Sequence, residues 1–299
     1  MRKTKQPPGL AEGIYFNLSN EAYHADPALS HSGMTQVLVS WADYWVRSPL
    51  NPKRKEYKPS DAMIFGDRCH QYLLEGKDFF KRYNVRGMAY DPKKTPVSTS
   101  EFEKIRASVE AITTIPGMAE HFTVGCPEVS IFWKDPTTGI MLRARYDYLY
   151  VFGALDYKRI KGMDDYTIGR AVRDQGLDIQ HAHYCEGIRA IRRKLRAGKA
   201  VVDNLPEVIG GEPGQVWLDA FMNEKAIMYR FLFQRSTPPF IWEFRELEAE
   251  PLREGEDAVR IAIQRYSENL AKYGIGCPPL GHREVKTIST YHIPRRNYD

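Results

Sequence analysis

The stretch from Val129 to Ile160 constrains this chain more than any other. Val129, Ile131 and Trp133 alternate with Ser130, Phe132 and Lys134, the period of a β-strand. Asp135-Pro-Thr-Thr-Gly139 has Pro early and Gly last, as a hairpin turn requires. Ile140–Val151 then reads as the return strand, with positions 141, 143, 145 and 147 on one face and 142, 144 and 146 on the other. Gly153 marks the next turn, and Ala154–Ile160 is a third strand. In such a meander Asp147 and Asp156 come from adjacent antiparallel strands and converge at one sheet position. Lys158, two residues past Asp156, shares its strand face.

That grouping suits metal-dependent phosphodiester hydrolysis. Two carboxylates can hold a hard divalent cation. A lysine beside them can orient or help deprotonate an attacking water, or stabilise charge building on a phosphate. An exposed ion pair would use the same residues, so the rest of the chain has to discriminate.

Ser30 or Ser32 is a natural cap for a helix through about Val46, with Met34, Val37 and Leu38 at helical spacing. A second helix covers about Ser60–Leu74, residues 77–98 look irregular, and Glu101–Thr113 is a third helix. After the meander, Asp165–Arg196 is strongly helical, and the Gly- and Pro-containing segment that follows, about 197–217, reads as a surface loop. Lys225–Gln234 and Pro239–Leu247 are two more strands, and Glu256–Tyr273 is an amphipathic helix. This order predicts one α/β domain with a central mixed sheet flanked by helices. Within it, 1–12 is expected to be a disordered tail, 13–120 a helical part, 121–275 the catalytic core and 276–299 an extension.

Of the 299 residues, 42% are hydrophobic and 27% charged, an ordinary globular composition. No apolar run reaches the length of a membrane span. The basic N-terminus lacks the apolar segment of a secretory signal, so a cytoplasmic protein without a membrane role is expected. The net charge of +5 is compatible with a polyanionic partner. The basic excess is concentrated in Lys53, Arg54, Lys55 and Lys58, and in Arg189, Arg192, Arg193, Lys194, Arg196 and Lys199. Cys69, Cys126, Cys185 and Cys277 are too far apart for a CxxC motif. His181 and His183 lie two apart on a helix and diverge, so a zinc site is not expected. No phosphate-binding glycine loop for a nucleotide is present.

Other candidates sit on predicted helices. His70 follows Gly66 by one turn, and that glycine would allow close approach of another backbone. Gln180 and Tyr184 share a face and are neutral hydrogen-bonding groups able to reach a water or a phosphate. Glu128 precedes the first meander strand and could add a carboxylate.

Taken in order, these elements resemble the exonuclease VIII (RecE-type) nucleases of phage recombination, within the PD-(D/E)xK superfamily. The matching residues are Gly13-Ile-Tyr with Tyr23-His24 and Ser30-His-Ser32-Gly-Met, Gly66-x-x-x-His70, Glu128-Val-Ser-Ile-Phe-Trp133, Arg143-x-Arg145-x-Asp147, Asp156-Tyr-Lys158 and Gln180-x-x-x-Tyr184. They span roughly residues 13–275. Arg159-Ile160 stands where the family usually has small hydroxyl residues, and 197–217 looks like an insertion. The resemblance implies a restriction-endonuclease-like core and one or two Mg²⁺ or Mn²⁺ ions. His70, Asp147, Asp156 and the Tyr157 backbone carbonyl would hold the metal. Lys158 would position the nucleophile, with Gln180 and Tyr184 acting on the water or the scissile phosphate. Arg189–Lys199 and Lys53–Lys58 would contact the DNA backbone. The implied substrate is linear double-stranded DNA, degraded 5′→3′ from its ends. A single-strand annealing partner and a ring-shaped homo-oligomer belong to the same expectation. A structure-specific or single-strand endonuclease on this scaffold, and a catalytically silent DNA-binding protein, remain the alternatives.

Overall fold

The computed structural model describes residues 6–55, 58–87 and 91–276. The chain opens with β1 (Gly13–Tyr15) and three short helices, α1 (Asn20–Ala25), α2 (His31–Val39) and α3 (Trp41–Arg47). Each helix starts at a serine. The Ser19, Ser30 and Ser40 hydroxyls accept the N–H groups of Ala22, Gly33 and Asp43, satisfying donors that a helix start leaves unpaired. The single helix expected over Ser30–Val46 is therefore two, because Ser40 is extended at φ −163° and ψ 157° and caps the second.

Next come α4 (Asp61–Glu75), α5 (Phe79–Arg82) and a short parallel pair, β2 (Tyr83–Val85) and β3 (Thr95–Val97), in the stretch expected to be irregular. Then follow α6 (Thr99–Thr113) and α7 (Met118–His121). The meander is β4 (Cys126–Lys134), β5 (Met141–Tyr150) and β6 (Gly153–Ile160), antiparallel as expected. The long helix expected over Asp165–Arg196 is α8 (Asp165–Gln175) and α9 (Leu177–Arg196), interrupted where Gly176 takes a left-handed φ of 61°. The expected loop after it is largely structured. It holds β7 (Val201–Asp203), the hairpin β8 (Val208–Ile209) and β9 (Glu212–Pro213), and the start of α10 (Gly214–Asn223). The chain finishes with β10 (Met228–Arg235), β11 (Trp242–Arg245) and α11 (Ala249–Tyr273).

Seven strands form one mixed sheet in the order β11-β10-β6-β5-β4-β1-β7, with β6–β10 and β1–β7 parallel. The central mixed sheet flanked by helices is the architecture expected. The N-terminal part is not only helical, because β1 adds itself to the sheet beside β4. The expected tail is corrected too. Gln6 Nε2 donates to the Pro27 carbonyl at 2.8 Å, Gln6 Oε1 accepts from Met141 N at 2.7 Å, and Leu10 N donates to Asp26 Oδ2 at 2.7 Å. Residues 6–12 are thus tied to the body of the fold, while 1–5, and 277–299 of the expected extension, lie outside the described residues.

Two hydrophobic layers enclose the sheet. On one face, α2, α3, α9, α10 and α11 pack on Val129, Ile131, Trp133, Ala144, Tyr146, Phe231 and Phe233. On the other, α4, α6 and α7 pack on Tyr148, Tyr150, Leu155, Tyr157 and Leu232. The first contact is tight where α9 crosses the meander. A Cβ on Gly187 would lie 2.6 Å from the Tyr146 hydroxyl and 2.9 Å from the Trp133 ring, and both rings are 1% exposed. Gly187→Ala should therefore destabilise the fold by about 1–2 kcal/mol in urea unfolding, overpacking outweighing the gain in helix propensity. An unchanged or higher urea midpoint would contradict this packing.

Candidate active site

The meander's hydrogen-bond ladder is interrupted in the middle of the sheet. β4 and β5 pair in one register from Cys126↔Leu149 to Lys134↔Met141 but skip the position where Glu128 would face Asp147. β5 and β6 pair from Tyr150↔Gly153 to Tyr148↔Leu155 and stop one position short of Asp147 and Asp156. Three carboxylates, Glu128, Asp147 and Asp156, therefore occupy one row across three strands. Glu128 adopts a left-handed φ of 54°, costly for a residue with a side chain and characteristic of backbone bent to aim a functional group. The Asp147 carboxylate repairs part of the gap, since its Oδ2 accepts the Tyr157 N–H at 2.8 Å.

α4 supplies the base. It is capped by Ser60, starts with Asp61 and buries Cys69, Leu73 and Leu74, which leaves His70 at the margin of the buried stripe, facing the carboxylates. His70 Nε2 lies 3.0 Å from Asp147 Oδ2, and Nδ1 lies 3.4 Å from Glu128 Oε1. The potential ligand atoms of His70, Glu128 and Asp147 all fall within 4.8 Å of one another. The His70 ring stacks on Tyr157 at 6.0 Å and 22°. Gly66 plays a smaller part than expected: a Cβ there would meet only Arg159 Cδ, at 4.0 Å, so no backbone approaches it closely.

Asp156 is engaged from the opposite layer. It is 2% exposed, and Gln180 Nε2 of α9 donates to its Oδ1 at 2.5 Å. Its Oδ2 lies 2.6 Å from Lys158 Nζ and has no other partner among the described residues. The same Gln180 amide donates to the Tyr229 hydroxyl at 3.2 Å. Gln180 thus holds Asp156 in place, where the sequence reading assigned it to water or phosphate. Tyr229, which no motif indicated, completes this pocket from β10. Tyr184 packs its ring 4.9 Å from Tyr146 and 6.1 Å from Tyr229.

The electrostatics follow from burial and crowding. Burial opposes a charge on His70, but the Asp147, Glu128 and Asp156 carboxylates outweigh it and raise its pKa to about 9. Burial would raise Asp147, yet His70 and Lys158 hold it down to about 2. Asp156 is pushed up to about 6 by burial and by Asp147, against the opposing pull of Lys158. Burial also raises Glu128. Lys158 stays above its ordinary value because Asp156 and Asp147 overcome its desolvation. An excess of carboxylates, two half-buried and one buried, neutralised in part by a proton on His70, is what a cation site looks like before the cation replaces the proton. One imidazole and two carboxylates, with Asp156 Oδ2 beside them held only by Lys158 among the described residues, fit Mg²⁺ or Mn²⁺ by ligand type.

The expected DNA contacts separate into two groups. Arg192 is 3% exposed, donates to the carbonyls of Ala226 and Val151 at 2.9 and 2.7 Å, and stacks on Phe221. It is a structural residue and cannot reach DNA. Helical spacing signals this, since Ile188 and Leu195 lie four before and three after it on the inward stripe. Arg189 and Arg193 both pair with Glu186, Lys194 pairs with Glu12, and Arg196 bonds the Met222 carbonyl. At 1.5 Å per residue this end of α9 runs roughly 14–24 Å beyond Gln180. Lys53, Arg54 and Lys55, by contrast, are exposed. Arg54 reaches the His24 carbonyl at 3.4 Å, next to Tyr23, whose ring lies 4.3 Å from the Arg145 guanidinium. Arg145 in turn lies 3.9 Å from Glu128.

A mixed sheet whose interrupted meander gathers Asp147 and Asp156-x-Lys158 defines a PD-(D/E)xK-like core. The chain belongs to the family described as a PDDEXK-like domain of unknown function (DUF3799), whose match spans residues 33–201 and includes every one of these side chains. A crystal structure from Eubacterium rectale, of a protein provisionally described as an exonuclease, superposes with a TM-score of 0.57. It covers 92% of this chain and 97% of its own at 14% identity, a likeness of fold. No curated protein matches the chain. Among the described residues, no helix is long and apolar enough to cross a membrane.

The charge pattern fixes a pH dependence. The native chain keeps the His70 proton up to about pH 9, while the unfolded chain releases it near 6.5. Stability carried by that proton is complete below pH 6.5 and lost as pH rises through 9. In metal-free buffer the melting temperature should fall across this window. Mn²⁺ should raise it more at the alkaline end, where the cation no longer competes with a proton. A larger Mn²⁺ shift at the acid end, read by scanning fluorimetry, would contradict the placement of His70.

Proposed function

We propose that this protein is a divalent-metal-dependent deoxyribonuclease. The observation that carries the reading is the His70–Glu128–Asp147 donor set beside the Asp156–Lys158 pair. His70, Glu128, Asp147 and Asp156, with the Tyr157 backbone carbonyl, would hold Mg²⁺ or Mn²⁺. Such a cation supplies Lewis-acid chemistry, activating water as a nucleophile and neutralising phosphate charge.

The chain's own groups do the rest. Lys158 is held charged by Asp156 and Asp147, so it acts as a donor: its ammonium orients the attacking water and faces the charge that develops on the phosphate. Gln180 keeps Asp156 aimed by donating to Oδ1. Tyr184, whose hydroxyl has no hydrogen bond among the described residues, is free to donate to the scissile phosphate. Lys53, Arg54 and Lys55 flank the site and contact the backbone, which makes binding weaken as salt rises.

We further propose that the enzyme works from the ends of linear duplex DNA, 5′→3′, in recombination. The order of motifs shared with exonuclease VIII-type nucleases supports this, and the exonuclease description of the structural neighbour is consistent with it. The 3′ strand left behind would suit an annealing partner, and a ring of subunits would keep the duplex in the site. Digestion of 5′-labelled linear and covalently closed circular DNA with Mg²⁺ tests the reading. Linear DNA should be lost and the circle should survive. Lys158→Ala should lower turnover by roughly 100-fold or more. A cut circle would make the protein an endonuclease, and inert wild type with Mg²⁺ and Mn²⁺ would leave a DNA-binding protein.

A further inference from the structure

Arg159 occupies the position directly after the catalytic lysine, and nothing in the chemistry above uses it. It is the centre of a polar network behind the site. Its Nη1 donates to Ser108 Oγ at 2.6 Å, to the Tyr157 hydroxyl at 3.3 Å and to Gln234 Oε1 at 3.4 Å, and its Nη2 donates to the Ser236 carbonyl at 2.9 Å. Gln234 Oε1 also accepts from the Tyr157 hydroxyl at 2.5 Å and from Ser108 Oγ at 2.8 Å. Its Nε2 donates to the carbonyls of Ser108 and Phe240 at 2.8 and 3.2 Å. Ser108 and Gln234 are both 0% exposed. The guanidinium lies between two rings, 5.1 Å from Phe65 and 5.8 Å from Phe240.

The layout of the site gives this network a task. The carboxylates and Lys158 are on the sheet, whereas His70 is on a helix packed over it. Metal ligands that arrive on separate elements are only as well placed as the elements are relative to each other. Arg159 joins them. It binds Ser108 of α6 and stacks on Phe65 of α4, five residues before His70. It and Gln234, its register partner on β10, hold the Tyr157 hydroxyl. The Tyr157 ring carries His70 on its face, and the Tyr157 N–H holds Asp147. One half-buried node therefore reaches both metal-ligating elements. Ser108, Gln234 and Tyr157 are buried, so a shift of the half-buried guanidinium that joins them leaves buried polar groups short of partners and is penalised.

We infer that Arg159 is a positioning residue for the metal site: through Ser108, Gln234 and Tyr157 it sets His70 against the sheet carboxylates. The inference rests on the metal-site reading above.

The test is calorimetric titration of the full chain with Mn²⁺, without DNA, together with melting temperature and DNA affinity. Arg159→Met keeps the packing stem and removes the fork. Tyr157→Phe keeps the ring on His70 and removes one hydroxyl, so it reports even where Arg159→Met fails to fold. Arg159→Met should weaken Mn²⁺ binding about 10-fold, the usual scale for a group that orients a metal ligand, and Tyr157→Phe should weaken it in the same direction. DNA affinity in metal-free buffer should be unchanged. A lower melting temperature with wild-type Mn²⁺ affinity would make the network merely structural and overturn the inference. Lower DNA affinity with wild-type Mn²⁺ affinity would overturn it in favour of a phosphate contact. Wild type that fails to bind Mn²⁺ would instead sink the metal-site reading itself.

Discussion

A β-sheet cannot stop hydrogen bonding in its interior unless something replaces the lost partners. Here the break falls across β4, β5 and β6, where Glu128, Asp147 and Asp156 stand in one row. The Asp147 carboxylate takes up the Tyr157 N–H, and Glu128, left-handed, drops out of the ladder for one position. The sheet thereby opens a gap and lines it with carboxylates. Everything else in the site answers the charge so created: His70 from one layer, Lys158 and Tyr229 from the sheet, and Gln180 from the other layer.

The same gap explains why two layers of helices are needed. Tyr146 and Ala144 face α9, while Tyr148 and Tyr150 face α4 and α6. Even-numbered residues of β5 thus change sides around Asp147, which sits at the crossover. Asp147 reaches α4 and Asp156 reaches α9, although they are register neighbours. The meander pattern places both at one sheet position, and the β5–β6 register leads to it when extended one step past Tyr148↔Leu155. The pattern does not separate the directions in which they are held, because strict alternation leaves no room for a change of side.

What was legible in the sequence was what periodicity encodes. The meander, its turns, the helices α4 and α6, and the central mixed sheet all follow from repeat and turn rules. The breaks were harder. Ser40 and Gly176 each interrupt a helical pattern whose apolar spacing continues almost in phase, so hydrophobicity alone joins the pieces. β7 is three residues long among glycines and prolines, and its place beside β1 is a long-range pairing that no local signal carries. The site shows the same division. His70, Asp147, Asp156 and Lys158 stand out by motif. Glu128 looked commonplace because nothing in a glutamate announces a positive φ, yet it joins His70 and Asp147. Arg192 lies within a surface charge run although its helical neighbours are the buried Ile188 and the half-buried Leu195.

On the proposed reading, the row of carboxylates holds a divalent cation against His70. Crystals soaked in Mn²⁺ and measured at a wavelength where manganese scatters anomalously test it directly. The account predicts an anomalous peak within bonding distance of His70, Glu128 and Asp147, on the side facing Asp156. A saturating soak with no peak there, or one whose only peaks lie away from these residues, would contradict it.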